Sequence, residues 1–365
     1  MKHIRFIVII SALILITGCH NPQETSNILT AQEYAPVTSD DFRTNVQIGQ
    51  VYLYGEEHSN ETMLKMEFKL WHDYYHNKGM RHLFIELPYY SAEYLNQWMH
   101  SDNDDILNQL YRDIKGTQNQ TQTVLDFYKK IKAECPETIF HGIDVGHQYK
   151  ITGERFLKDI LKQGYDKSSE KYKRALLCIE QGKKYYGPND IESEKDHAYR
   201  ENAMVENFIR EYQQLNGADI MGIFGGAHIN LEGMNYKTAQ VPCMANQLKN
   251  YFTDSLHSEM LPYAIDIIQM NGKDYQAFYF GKVDINGFKD LQYRKVWRLK
   301  DAYDDFKDHP VKNNVLPYGN YPMPVEVGNI YILEYGKTDG TIIKECHRAD
   351  GHVWNNKLVT QEIQL

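Results

Sequence analysis

The sequence predicts an α/β fold: a mainly parallel central sheet flanked by helices, with a helical insertion and a small β-rich C-terminal lobe. Three observations predict it. Short β-prone runs alternate with helical patterns from about residue 47 to 280, the signature of strand–helix–strand units with a parallel sheet. A long, charged helical stretch interrupts that alternation between about residues 150 and 215. Beyond residue 284 the chain changes to turn signals and β-prone runs.

Each element follows in order. Val51-Tyr52-Leu53-Tyr54 is a β-prone run closed by Gly55. Leu64, Phe68, Trp71 and Tyr75 then recur at four, three and four residues, which is one face of a helix. Ser59 or Asn60 suits its N-cap, Glu61 its first turn, and Asn77-Lys78-Gly79 its end. A second strand is His82 to Glu86, stopped by Pro88, and helical material continues to about Ala133. Thr138 to Asp144 reads as a third strand. The charged stretch follows, with a break at Tyr186-Gly187-Pro188-Asn189 and a last helix from about Asp196. Ile220 to Phe224, closed by Gly225-Gly226, is the fourth strand, and Tyr263 to Met270 and Tyr275 to Phe280 read as further strands. In the C-terminal lobe, residues 285–365, Asp339-Gly340 marks a hairpin.

The N-terminus carries its own signal. Lys2 and Arg5 precede an apolar run from Ile7 to Ile16, broken only by Ser11 and followed by Thr17-Gly18-Cys19. That run is too short to span a bilayer, which takes about 20 residues, and fits the apolar region of a secretion signal over residues 1–18. Small residues before a cysteine resemble a lipobox, which implies cleavage before Cys19 and a lipid on that residue. The expected location is the cell envelope, with the body held to a membrane by the lipid. Residues 19–46 are polar and read as a flexible tether. The formal net charge is −9, and no basic cluster stands out, so nucleic acid is excluded as an expected partner. Besides Cys19 there are Cys135, Cys178, Cys243 and Cys346. An exported chain permits disulfides, yet no CxxC pair exists and the spacing does not assign partners.

The candidate site comes from where polar residues fall on the strands. Gly55-Glu56-Glu57-His58 follows the first, Glu86 ends the second, Asp144 ends the third, and Gly225-Gly226-Ala227-His228 follows the fourth. If the strands are parallel, all four groups meet at the carboxyl edge of the sheet, where open α/β sheets bind ligands. Two imidazoles and a carboxylate (His58, His228, Glu86) are a donor set for a divalent metal such as zinc, manganese, cobalt or iron, which would acidify a bound water. Without metal, a histidine paired with a glutamate is a general base for water. Of Glu56 and Glu57 at most one points inward, with Glu56 a ligand or orienting group. Glycine before each histidine permits a tight turn and brings N–H groups near an oxyanion. Arg200 and Asn202, early in the helix from Asp196, lie near the same edge, where an arginine would neutralise Asp144 or Glu86 or hold a substrate carboxylate. Bland readings stand beside these: Glu86 as a helix N-cap acid, His58 and His228 as loop residues, His141 and His147 as ordinary neighbours of Asp144, and the helical pair His72 and His76 as exposed side chains.

Together these motifs resemble the superfamily of the erythromycin esterases, the ChaN-type haem-binding lipoproteins and the TraB, GumN and Tiki proteins. The resemblance rests on Gly55-Glu56-Glu57-His58, Glu86, Arg200-Glu201-Asn202 and Gly225-Gly226-Ala227-His228 in that order, over residues 47 to 280. YLYGEEHSN looks most like the ChaN and Tiki form of the first motif, and GIDV at Gly142 to Val145 is similar to a strand end in the esterases. The Tiki branch implies a metal-dependent protease, the esterase branch a histidine and a glutamate acting with water on a lactone, and the ChaN branch a haem-binding protein without catalysis. The esterases carry an extra residue before the first histidine, and this sequence does not. The expectation is therefore a hydrolase of a small-molecule or peptide substrate, with His58, His228, Glu86 and Glu56 at its centre. Asp144, Arg200, Asn202 and Glu57 would support them, and the helical stretch would form a lid. The alternatives are a binder of haem or a similar iron compound, and a structural lipoprotein with a vestigial site.

Overall fold

A computed structural model describes residues 36–37, 47–187 and 196–365. The signal segment, Cys19, most of the tether and the Pro188-Asn189 part of the expected break lie outside the described residues. Among the described residues no helix is long and apolar enough to cross a membrane.

The α/β body is built on five parallel strands in the order β3-β2-β4-β1-β5. These are β1 (Val51–Glu56), β2 (His82–Pro88), β3 (Ile139–Asp144), β4 (Ile220–Gly225) and β5 (Leu256–Met260). Between β1 and β2 runs α1 (Glu61–Asn77), capped by the Asn60 side chain on the N–H groups of Thr62 and Met63. Its expected face, Leu64, Phe68, Trp71 and Tyr75, is buried, and burial of each such side chain contributes roughly 1.5–3 kcal/mol. α2 (Tyr89–Met99), α3 (Asp105–Asp113) and α4 (Gln122–Glu134) lead from β2 to β3. Trp71 and Trp98 anchor the core on this side of the sheet.

From β3 the chain passes through a short turn at Tyr149–Gly153, then α5 (Glu154–Lys162), α6 (Glu170–Tyr186) and α7 (His197–Tyr212). α7 is a layer helix. Its Val205, Phe208 and Ile209 pack with Phe224 of β4 and with Leu248 and Phe252 of α8 (Met244–Phe252) in a second core. α5 and α6 form their own core with Tyr90 and Tyr94 of α2. Val37, inside the expected tether, packs against the second core and donates its N–H to Gln247.

The C-terminal lobe is an eight-stranded antiparallel sheet. It comprises β6 (Ala264–Met270), β7 (Lys273–Asp284), β8 (Leu291–Leu299), β9 (Val311–Pro317), β10 (Asn329–Lys337), β11 (Ile342–Ala349), β12 (Val353–Trp354) and β13 (Lys357–Ile363), with a one-turn helix α9 (Tyr303–Phe306) after β8. The hairpin at Asp339-Gly340 joins β10 to β11. The expected strands near 263–270 and 275–280 exist, but they pair with each other and with β8. The antiparallel sheet therefore begins at Ala264, earlier than the change of pattern near residue 285. β5 was not expected: LHSEM has no apolar run, because an edge strand buries little beyond Leu256.

Candidate active site

All four strand-end groups meet at the carboxyl edge of the parallel sheet. Register explains how. Glu56 lies beside Gly225 across the β1–β4 pair. Glu86 sits where β2 leaves its ladder with β3, at a register shift between Ile85 and Pro88, which frees its side chain to turn toward the edge. Asp144 is the last residue of β3, and His228 ends the short turn after β4.

Glu86 is the hub. Its Oε1 accepts from Arg200 Nη2 at 2.6 Å and lies 3.5 Å from His228 Nε2 and 3.8 Å from His58 Nε2. Its Oε2 accepts the Gly225 N–H at 2.6 Å. Burial alone would raise the Glu86 carboxyl, but His228 and Arg200 outweigh it and hold the group well below the usual range. Glu86 is thus an anion shared by three cationic side chains, not a helix cap.

Arg200 also clamps Asp144 in bidentate fashion, Nε to Oδ1 at 2.8 Å and Nη2 to Oδ2 at 2.7 Å. Its single positive charge is thus shared between Asp144 and Glu86. Its neighbour Glu201 takes His228 Nδ1 at 2.9 Å through Oε1 and the Met244 N–H at 2.8 Å through Oε2. Burial works against the charged form of His228, yet the carboxylates of Glu201 and Glu86 push its pKa up to about 10. Its Nε2, 3.2 Å from Arg200 Nη1, donates toward Glu86 when protonated and accepts from Arg200 when neutral.

His58 differs in being reachable. Its side chain is 29% exposed, and Nδ1 is held by Glu56 Oε1 at 2.8 Å. That leaves Nε2 as the nitrogen not engaged by Glu56. The hydrogen bond to Glu56 outweighs partial desolvation and pushes the His58 pKa up to about 9. These groups line a cleft of about 510 Å³. Its far wall comes from the C-terminal lobe, at Tyr321 to Pro324. Of the described part of the helical stretch 150–215, Arg200 of α7 lines the cleft, and no residue of α5 or α6 does.

Glu57 is exposed at the rim while Glu56 turns in. Asn202 does not reach the cleft. It lies about 200° around the helix from Arg200 at 100° per residue, and it accepts from Gln247 of α8 at 3.0 Å. The residue that sequence reading passed over is Glu201, the middle position of the Arg-x-Asn motif. Glu67 of α1 was also missed: it is 1% exposed, and neither carboxyl oxygen has a hydrogen-bond partner. Gly225 has φ −53°, so any preference for glycine there comes from space rather than from the dihedral. A Cβ would lie 3.3 Å from Glu86 Oε2 and 3.4 Å from the His58 ring. Its N–H is spent on Glu86 and is not free for an oxyanion. His141 is a buried strand residue 3.1 Å from Glu211, and the rings of His72 and His76 lie 4.3 Å apart, tilted to one another, along α1. The four cysteines Cys135, Cys178, Cys243 and Cys346 are buried free thiols.

His58, His228 and Glu86 were expected to hold a divalent metal. In this arrangement the guanidinium of Arg200 already contacts Glu86 and faces His228 Nε2, and both Glu86 oxygens accept short bonds. A second cation there would sit against the guanidinium of Arg200. The residues do not fit a metal as they stand.

No family model and no curated protein matches the chain. Solved structures do. A Bacillus cereus protein aligns with TM-score 0.41 at 13% identity, over 67% of this chain and 75% of its own. A structure described as a succinoglycan biosynthesis protein gives 0.41 at 13% identity, over 57% and 65%. A mutant erythromycin esterase in its open conformation gives 0.42 at 10% identity, over 63% and 76%.

Proposed function

We propose that this protein is an envelope-anchored hydrolase that activates water with a histidine–glutamate pair and needs no metal. The observation that carries this reading is His58: the reachable imidazole of the cleft, with Nδ1 fixed by Glu56 and Nε2 left for chemistry. In the neutral ring Nδ1–H donates to Glu56, and the Nε2 lone pair takes a proton from water. The water oxygen then attacks a carbonyl carbon. Charge developing on the carbonyl oxygen falls in the field of Arg200 and His228, which line the same cleft. The imidazolium of His58 returns its proton to the leaving group, so the base is regenerated. Glu86, Asp144 and Glu201 hold the two cationic groups in place. The substrate is a small ester or amide, and the lipid on Cys19 would keep the body at the membrane.

The test uses p-nitrophenyl acetate as probe, with the protein purified without chelator. His58→Ala is expected to lower kcat/KM by about 10²–10⁴, and a chelator to leave the wild-type rate unchanged. An unchanged rate in His58→Ala contradicts the base assignment. Activity lost to chelator and restored by zinc, manganese, cobalt or iron contradicts the metal-free part. A Soret band on adding haem, lost in His58→Ala, would favour the haem-binding alternative. Membrane retention of the full chain, abolished in Cys19→Ser, tests the anchor.

A further inference from the structure

A second cavity lies under the cleft. It encloses about 90 Å³ and is walled mostly by apolar side chains of α1, β2, α2, α3 and α4. Leu64, Leu95, Leu107, Leu110, Leu125 and Phe127 are among them. Glu56, His58 and Glu86 line both this cavity and the cleft, so the two spaces adjoin at the reacting groups. Protein interiors are close-packed, and space beside a reactive imidazole is a feature of a binding site. The wall is apolar and carries little charge. Glu67 is the one carboxyl on it besides those at the mouth. Burial first, and the charge of Glu56 second, raise its carboxyl well above the usual range, which favours the neutral form. The stretch over the outer side is tied to the site by Ser59, whose Oγ donates to the Gln118 carbonyl at 2.6 Å.

We infer that this cavity is a subsite for an unbranched aliphatic acyl chain, and that the substrate is an acyl ester or amide whose chain enters past His58. The inference rests on the hydrolase reading and narrows it. A small, mostly apolar space beside His58 suits an aliphatic chain rather than a charged or peptide side chain. With the chain seated, the acyl carbonyl lies at the mouth, where His58 and the Arg200–His228 pair meet. The carboxylate product would then keep its chain in the cavity and its head group among the cations.

That product chemistry supplies a probe that needs no turnover. Acetate, butyrate, hexanoate, octanoate and decanoate are titrated calorimetrically into the whole protein, below micelle-forming concentrations. Affinity is expected to rise about three- to fourfold per methylene until the cavity is full, then level off. Leu110→Trp and, separately, Ser91→Phe fill the cavity and are expected to flatten the series while acetate binding is kept. A flat series in the wild type overturns the inference whatever the variants do, as does a series that stays steep in both folded variants. The two readings fail separately. A flat series with His58-dependent ester hydrolysis removes only the acyl subsite. A steep series with turnover indifferent to His58→Ala removes the hydrolase reading instead.

Discussion

At the scale of single residues, the proposed chemistry depends on where protons sit. Glu67 shows the cost of an acid in an apolar wall. Its folded pKa is raised by burial and by Glu56. Between the unfolded value of about 4.5 and the folded one, the native state holds a proton that the unfolded chain has lost, so stability falls as pH rises. Glu67→Gln removes that dependence. Thermal melts of the two proteins from pH 4 to 9 are expected to show Glu67→Gln gaining on the wild type as pH rises. Parallel curves would mean Glu67 is ionised in the fold. Gly225 acts through space alone. Gly225→Ala puts a methyl against Glu86 and the His58 ring, so turnover should fall by about tenfold or more, while stability changes by only about 1–3 kcal/mol. Kinetics and urea unfolding on one preparation separate the two effects.

At the scale of elements, each strand delivers one group, and that much was readable from the sequence. The apolar runs that end at Gly55, Glu86, Asp144 and Gly225 are strands, and a parallel sheet carries their ends to one edge. Which neighbour of Arg200 mattered was not readable from the motif. The sequence marks Asn202, but the helical turn sends it to Gln247 and sends Glu201 to His228. The 100° step from Arg200 shows the difference only once the sheet's position is known. β5 was hidden because LHSEM buries little beyond Leu256 and so carries no apolar run. The pairing of β6 with β7 had a legible signal, Asn271-Gly272, both with positive φ, as a tight hairpin turn requires. Periodicity says that a segment is a strand; only the turn says with which strand it pairs.

At the scale of the molecule, two sheets share one site. The parallel sheet supplies the groups proposed to react, and the antiparallel lobe supplies Tyr321 to Pro324 as the opposite wall. No sequence pattern announces that wall, since it depends on how the lobe packs. It follows that the lobe governs binding more than chemistry. Met323→Ala is expected to raise KM by about three- to tenfold with kcat nearly unchanged, because contacts equal in ground and transition states affect KM alone. A fall in kcat with KM constant would place Met323 in the chemistry.

The claim that His58 is a base tuned by Glu56 is tested most directly by the pH dependence of kcat/KM for p-nitrophenyl butyrate, in the wild type and in Glu56→Gln. Only the neutral imidazole accepts a proton, and Glu56 holds the ring's pKa up to about 9. The wild-type rate should therefore climb through neutrality and level off above pH 9. In Glu56→Gln the hydrogen bond and negative charge that raise the pKa are gone. The rising limb should move down toward 6.5, with a lower plateau because the ring is less firmly oriented. A limb at the same pH in both proteins, or none between pH 6 and 10, would contradict the assignment.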